Sequence, residues 1–217
     1  MAILTFWSPR LGGRIAHAGA IAWGWLTIQS NPLWRFSVAG REFVPRGIPV
    51  VYVANHASQL DIFALCGTGQ QFKFVSKRSV FFFPVLGWAM WFAGYVPLAR
   101  GDMASIRRMI ETCARRLARG DSLLLYPEGT RSPDGKLREF KRGAFQLAHD
   151  AGVAIVPVVI RGTAQALPKG SLLCARSHIS VTFLEPVDAA TVKATDPNEL
   201  CDKVHALIAR ELDATPT

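Results

Sequence analysis

Short apolar runs that alternate with amphipathic helical stretches constrain the fold of this chain more than any other feature. Six runs have the length and composition of strands: residues 50–54, 72–75, 95–98, 122–126, 155–160 and 179–183. Helical patterns lie between and after them, for example over residues 104–119 and 196–212. Alternating strands and helices are typical of α/β proteins, and 217 residues suit one domain. We therefore predict an α/β fold, with a sheet flanked by helices and one active site.

An uncharged run of twenty residues at positions 80–99 has the length of a membrane-spanning helix. Four helix-breaking residues interrupt it: Pro84, Gly87, Gly94 and Pro97. A crossing here would also place the polar motifs before and after the run on opposite sides of a membrane. We therefore predict a short helix over residues 85–92 and a strand over 95–98, which together form an apolar floor that contacts lipid.

Residues 15–28 form a second uncharged run, which is too short to span a bilayer. Three tryptophans in or near it are of the kind that prefers the lipid headgroup level: Trp23, Trp25 and Trp34. We interpret residues 1–35 as a short N-terminal helical segment at a membrane interface, ahead of a catalytic domain at 36–217. A helix that simply packs on that domain is the alternative.

The charge balance favours an anionic partner. Lys and Arg number 25 against 16 Asp and Glu, a formal net charge of +9, while half of the residues are hydrophobic. No nucleic-acid recognition element accompanies the positive charge, so an anionic membrane surface is expected rather than nucleic acid. The arginines within residues 104–119 fit a solvated helix face, and a membrane-binding or carrier-protein surface is the alternative.

The cysteines and the N-terminus favour a cytoplasmic protein at a membrane. Four cysteines lie far apart without metal-site spacing, so we expect neither disulfides nor a bound metal: Cys66, Cys113, Cys174 and Cys201. The first residues lack the ordered regions of a cleaved signal peptide. The expected location is therefore the cytoplasmic face of the cell membrane, with peripheral or shallow insertion.

The motif NHASQLD at residues 55–61 directly follows a predicted strand. His56 and Asp61 cannot meet on one regular helix, because five residues separate them by about 140°. If Ser58 caps a helix and Asp61 lies in its first turn, His56 can fold back toward the carboxylate. An imidazole oriented by a carboxylate is a general base for a hydroxyl group. The alternative is that Asp61 only completes a capping box and His56 is a turn residue.

A second motif, YPEGTRS at residues 126–132, also follows a predicted strand. Gly129 allows close backbone approach, Thr130 donates a hydrogen bond, and Arg131 offers a planar fork to phosphate oxygens. Glu128 is predicted to hold Arg131 or to bind an acceptor hydroxyl. Arg100, which ends another predicted strand, can converge with Arg131 on one anion, although the alternatives are a structural salt bridge and an ordinary polar turn.

Four sequence blocks resemble those of the glycerolipid acyltransferase family, in the order that the family has them. NHASQLD fits the NHxxxxD block, GYVPLAR fits a Gly…Arg block, YPEGTRS fits FPEGTRS with Tyr126 in place of Phe, and IVPVVI fits an apolar block that contains proline. The resemblance extends from about Phe36 to the C-terminus and implies an α/β acyltransferase sheet. It also implies catalytic roles for His56 and Asp61. Five residues would bind the acceptor: Arg100, Glu128, Gly129, Thr130 and Arg131.

The reaction that this resemblance implies is transfer of a fatty acyl group in phospholipid biosynthesis. The donor would be acyl carrier protein or coenzyme A in acylated form, and the acceptor a lysophospholipid, in first place lysophosphatidate, with no cofactor. Other acceptors, glycerol 3-phosphate or a lyso-aminolipid, remain open. A serine hydrolase lacks support because no GxSxG elbow surrounds any serine. A non-enzymatic membrane-binding module is the remaining alternative.

Overall fold

A seven-stranded sheet forms the centre of the protein, seen in a computed structural model that describes residues 9–168 and 173–214. The strands are β1 (Trp34–Ala39), β2 (Val50–Ala54), β3 (Lys73–Lys77), β4 (Val96–Leu98), β5 (Leu123–Leu125), β6 (Ala154–Arg161) and β7 (Ser177–Phe183). Their order across the sheet is β1-β7-β6-β2-β5-β3-β4. Only the pairing of β6 with β7 is antiparallel among these neighbours. The predicted α/β fold is confirmed.

Helices cover both faces of this sheet. They are α1 (Pro9–Gln29), α2 (Leu60–Gly67), α3 (Leu86–Ala93), α4 (Met103–Ala118), α5 (Gly143–Ala151), α6 (Thr163–Ala166), α7 (Ala189–Ala194) and α8 (Pro197–Asp213). The two largest hydrophobic clusters lie one on each side of the central strands. Side chains that alternate along β2 divide between them, because Tyr52 joins one cluster and Val51 and Val53 join the other. The strand that precedes the first motif is therefore buried on both faces.

One strand of the sheet, β1, is missing from the sequence-based prediction. Its side chains alternate between half-buried and exposed, so WRFSVA lacks the continuous apolar run that marks the central strands. It lies at the edge of the sheet and pairs with β7 in parallel. It begins at Trp34, so the division at residue 35 runs through it, and that division stays a prediction.

The uncharged run at 80–99 folds into short pieces. A 3-10 helix (Arg78–Phe82) leads into α3, and Gly94, with φ +76°, ends that helix before β4. The predicted short helix and strand are confirmed to within a residue or two. Within residues 9–168 and 173–214, no helix is long and apolar enough to cross a membrane.

Helix α1 packs on α2 and α3 through one face, and buried polar groups help to hold it there. His17 is fully buried, with Nδ1 2.6 Å from the Tyr95 hydroxyl and Nε2 3.0 Å from the carbonyl oxygen of Gln70. Burial lowers the pKa of His17 to about 4, so the ring is neutral at pH 7. Lys73 donates from Nζ to the carbonyl oxygen of Gly13 at 2.9 Å. Residues 1–8, which begin the predicted segment, lie outside the described residues.

The buried face of α1 contains a tight glycine contact that can be tested. A Cβ on Gly24 would lie 2.6 Å from Cys66 Cβ and 2.8 Å from the Phe63 carbonyl oxygen, whereas a Cβ on Gly19 would meet nothing within 4 Å. Both alanine substitutions gain helix propensity, so their difference isolates packing. We expect Gly24→Ala to be less stable than Gly19→Ala by about 1–3 kcal/mol in denaturant unfolding. Equal stabilities would show that α1 does not pack closely on α2.

Candidate active site

The two polar motifs meet because the strands before them are neighbours. β2 and β5 pair in parallel, with Val53 opposite Leu125, so both strands end at the same edge of the sheet. The loop after β2 carries NHASQLD, and the loop after β5 carries YPEGTRS. Residues 71 positions apart are thereby brought together at the carboxyl edge of a parallel sheet, where α/β proteins commonly bind ligands.

Asn55 fixes the point at which the first motif leaves the sheet. Its side-chain amide donates to the carbonyl oxygen of Ile160 at 2.9 Å, and its Oδ1 accepts from the Ile160 N–H at 2.8 Å. The Asn55 side chain thus pairs with a residue of β6 as a further strand residue would. The backbone of His56 therefore starts from a fixed position.

His56 and Asp61 form a hydrogen-bonded pair. His56 Nδ1 lies 2.7 Å from Asp61 Oδ2, and the same oxygen accepts from the N–H groups of Ala57 at 2.8 Å and Ser58 at 2.9 Å. Asp61 is fully buried in the first turn of α2, while His56 lies on the preceding loop and folds back as predicted. The helix itself begins at Leu60, slightly later than the predicted cap at Ser58, whose Oγ accepts from the Leu60 N–H at 3.3 Å.

The predicted alternatives for Asp61 are therefore combined in one carboxylate, which accepts from the backbone just before α2 and also orients the imidazole. A carboxylate cannot donate when ionised, so we assign the proton of the pair to His56 Nδ1. The lone pair is then on Nε2, where it can accept a proton from a substrate hydroxyl. The His56 ring stacks on Tyr126 with centroids 4.1 Å apart and 20° between the planes, and its side chain is 17% exposed.

Glu128 is buried next to this pair and points into the protein. It is 4% exposed, and its Oε1 accepts from the His56 N–H at 2.6 Å. Its Oε2 accepts from the Arg138 N–H at 3.3 Å. Burial raises the pKa of Glu128 to about 7, against the opposing effect of these two hydrogen bonds. Contact of Glu128 with an acceptor stays a prediction, since the structure brings its oxygens to backbone amides.

Two further backbone hydrogen bonds hold the segment after β5, and the first of them connects it to the first motif. The Ser132 N–H donates to the carbonyl oxygen of His56 at 2.8 Å, so the second motif bonds the backbone of His56 on both sides. The Lys141 N–H donates to the carbonyl oxygen of Pro127 at 3.0 Å. The Lys141 side chain then lies along Gly129, since a Cβ on Gly129 would meet its Nζ at 3.1 Å. The φ of Gly129 is +72°, which also favours glycine.

The cations predicted to bind an anion lie at the same edge of the sheet. Arg131 is half-buried in the loop after β5, and Thr130 lies beside it. Arg100 is exposed after β4, two strand spacings or about 10 Å from β5. Convergence of Arg100 and Arg131 on one ligand stays a prediction, whereas Lys141 already lies next to Gly129.

The N–H groups of residues 56–58 all have partners, which bears on where an oxyanion can bind. The His56 N–H donates to Glu128, and those of Ala57 and Ser58 donate to Asp61. Backbone amides are common donors for the oxyanion of a tetrahedral intermediate. These three amides are occupied in orienting His56 and Asp61, so donors must come from other groups.

Sequence reasoning missed three contributors to the site. Asn55 and Ser132 belong to the two motifs, but their hydrogen bonds depend on β6 and on the His56 carbonyl, which spacing alone does not reveal. Lys141 lies in a basic stretch, KLREFKR, whose place beside Gly129 depends on the intervening turn. In the described part of the chain, no group of three His, Cys, Asp or Glu residues could hold a metal ion.

Comparison with known proteins gives the site a context. The Acyltransferase family model matches residues 35–161. A chloroplastic 1-acyl-sn-glycerol-3-phosphate acyltransferase of Arabidopsis thaliana is 38% identical over 87% of this chain and 52% of its own length. A chloroplastic enzyme of the same name from Brassica napus is 37% identical over 87% of this chain and 54% of its own. The chain thus spans about half the length of these curated relatives.

A solved structure agrees with the fold. The crystal structure of the 1-acyl-sn-glycerophosphate acyltransferase PlsC from Thermotoga maritima superposes with a TM-score of 0.82 at 28% sequence identity. The match covers 93% of this chain and 81% of that one. Both the sheet and the flanking helices therefore have a counterpart of known structure.

Proposed function

Because the chain belongs to the Acyltransferase family, we propose that it is a lysophosphatidate acyltransferase. It transfers a fatty acyl group from the thioester of acyl carrier protein or coenzyme A to the free hydroxyl of lysophosphatidate, and phosphatidate is the product. The observation that carries this proposal is the His56–Asp61 pair at 2.7 Å beside a loop that contains Arg131. The proposal places the enzyme in phospholipid biosynthesis.

The reaction proceeds in two proton-balanced steps. His56 Nε2 removes the proton of the acceptor hydroxyl while the oxygen attacks the thioester carbonyl, and Asp61 stabilises the imidazolium that forms. The tetrahedral intermediate then expels the thiolate, which takes the proton from Nε2. An ester bond replaces the thioester bond, and His56 returns to its neutral state.

The acceptor hydroxyl attacks directly, without an acyl-enzyme. Ser58 is the serine nearest to the pair along the chain, yet its hydroxyl donates to the carbonyl oxygen of Leu167 at 3.1 Å and is 3% exposed. Cys66 is buried in the core, and burial raises its thiol pKa to about 12. Neither residue is suited to act as a nucleophile for His56, which also counts against a serine hydrolase.

The phosphate of the acceptor binds at the loop after β5. The Arg131 guanidinium can bind two phosphate oxygens in parallel, and the Thr130 hydroxyl can donate a third bond. Lys141 adds a second positive charge beside Gly129, and Arg100 is the third cation at this edge. A compact dianion explains this concentration of charge better than a neutral or aminolipid headgroup does.

The membrane-facing side is formed by α1 and α3, which pack on each other. Each presents large exposed apolar side chains outward: Ile15, Trp23, Trp25 and Leu26 on α1, and Trp88, Trp91 and Phe92 on α3. Apolar residues enter the interface while nearby cations such as Arg14, Lys77 and Arg78 meet anionic headgroups. We place this attachment, peripheral or shallow, at the cytoplasmic face of the cell membrane.

His56→Ala should reduce acyl transfer about 10²- to 10⁴-fold without loss of the fold, because the general base is removed. Asp61→Asn should be severely impaired as well, since the amide cannot accept all three hydrogen bonds and hold the imidazole tautomer. Transfer is measured with labelled donor and lysophosphatidate. His149 provides a matched control because its Nδ1 also lies near a carboxylate, Asp150, at 3.3 Å on the surface. Undiminished turnover by folded His56→Ala protein would refute the mechanism.

Arg131→Ala should erase most of the preference for lysophosphatidate over a phosphate-free monoacylglycerol. The loss of a charge-assisted phosphate bond is worth about 1.5–3 kcal/mol, or roughly a 10- to 150-fold change in kcat/KM for lysophosphatidate only. Arg131→Lys should recover only part of it, because Lys offers a point charge. Arg142→Ala, an exposed cation nearby in sequence, serves as the control. Equal use of both acceptors by the parent would disprove the phosphate site.

The double substitution Trp88→Ser/Phe92→Ser should weaken binding to anionic vesicles about tenfold or more. Both side chains are exposed on the outer face of α3, by 63% and 74%, so the change leaves the core intact. Burial of an aromatic side chain is worth about 1.5–3 kcal/mol, and 1.4 kcal/mol is a factor of ten. Ile48→Ser, at an exposed apolar residue in the loop before β2, is the control in vesicle sedimentation. Sedimentation equal to the parent would rule out α3 as a contact with lipid.

A further inference from the structure

We propose that Glu128 is a positioning residue that holds the backbone of His56 in the geometry for catalysis, and that it is not a ligand of the acceptor. This inference rests on the proposed function and changes the role that the family resemblance suggests for this glutamate. It assigns Glu128 an effect on turnover rather than on acceptor affinity.

The first support is the contact itself. The hydrogen bond from the His56 N–H to Glu128 Oε1 is short, at 2.6 Å, and its acceptor is a buried carboxyl group. A hydrogen bond inside the protein is electrostatically stronger than one in water. The other oxygen accepts from the Arg138 N–H, so one side chain joins the catalytic loop to the loop after the second motif.

The second support is that the carbonyl group of His56 is hydrogen-bonded as well as its N–H group. The Ser132 N–H donates to the His56 carbonyl oxygen at 2.8 Å, four residues after Glu128 on the same loop. With Nδ1 bonded to Asp61 and the ring stacked on Tyr126, the backbone and the ring of His56 are fixed separately. A displacement of about 1 Å at a reacting group can cost about 10²-fold in rate, so this restraint matters for chemistry.

The third support is that Glu128 is buried, unlike the three residues that follow it. It is 4% exposed, whereas its neighbours Gly129, Thr130 and Arg131 are all half-buried at the surface of the loop. An acceptor phosphate would also be repelled by a carboxylate among its ligands. Within this loop, Glu128 therefore points inward to His56, and the next three residues face the ligand side.

Glu128→Gln tests the assignment, because it keeps the size of the side chain but presents an NH₂ group to one of the two backbone N–H donors. We expect kcat to fall about 10- to 100-fold, while KM for lysophosphatidate stays within about twofold to threefold. Glu128→Asp, which keeps the charge but shortens the reach, should show the same split. Glu139→Gln is the matched control, since Glu139 is exposed in the neighbouring loop.

A readout independent of turnover is the downfield proton resonance of the His56 Nδ1–H bonded to Asp61. It should be present in the parent and in Glu139→Gln, and broadened or lost in Glu128→Gln.

A parent inactive with lysophosphatidate would refute the proposed acceptor; the resonance comparison would then decide the role of Glu128 by itself. Parental kcat and resonance in Glu128→Gln, or a raised KM with unchanged kcat, would overturn the positioning role. If Glu128→Gln does not fold, Glu128→Asp is judged by the same criteria.

Discussion

Parallel pairing of β2 with both β5 and β6 is the constraint on which the rest of the site depends. It brings the ends of three strands to one edge, where the first motif bonds to β6 through Asn55 and to the loop after β5 through Glu128 and Ser132. β2 is buried throughout, so a shift in its register would disturb both hydrophobic clusters. The geometry of His56 is therefore set by the core of the sheet as well as by its own loop.

Two buried carboxylates carry that geometry, and each is compensated by backbone N–H groups. Asp61 has three donors on Oδ2, and Glu128 has one on each oxygen. An unpaired buried carboxyl group costs several kcal/mol, so these hydrogen bonds stabilise both loops. Burial still raises the pKa of Glu128 to about 7 despite its two hydrogen bonds, and the buried Oδ1 of Asp61 has no hydrogen-bond partner among the described residues. The amides used in this way are unavailable to bind an oxyanion.

Much of the fold and the hydrogen-bonded pair of His56 and Asp61 could be predicted from the sequence, because they leave local signals. Strands buried on both faces show continuous apolar runs, and helical patterns at residues 104–119 and 196–212 indicate the long helices α4 and α8. The sequence does not predict the edge strand β1, because its pattern is half polar. It also does not predict the inward direction of Glu128, because that direction depends on contacts between distant segments. The same holds for Lys141, whose place beside Gly129 is set by tertiary contacts. The spacing of residues within a motif identifies candidate site residues, but it does not show which way each side chain points.

Helix α1 has consequences for anyone who wishes to handle this protein in water. Its inner face contributes Ile28 and His17 to the interior, and its Gly13 carbonyl accepts from Lys73, whose pKa burial lowers to about 8. Cutting the helix away to improve solubility would uncover apolar core and remove the partner of a buried amine. A soluble form is better made by polar replacements on its outer face, which the body of the protein does not use. Helix α1 is part of the packed core as well as of the exposed apolar surface, so removing that surface by truncation would also remove core contacts.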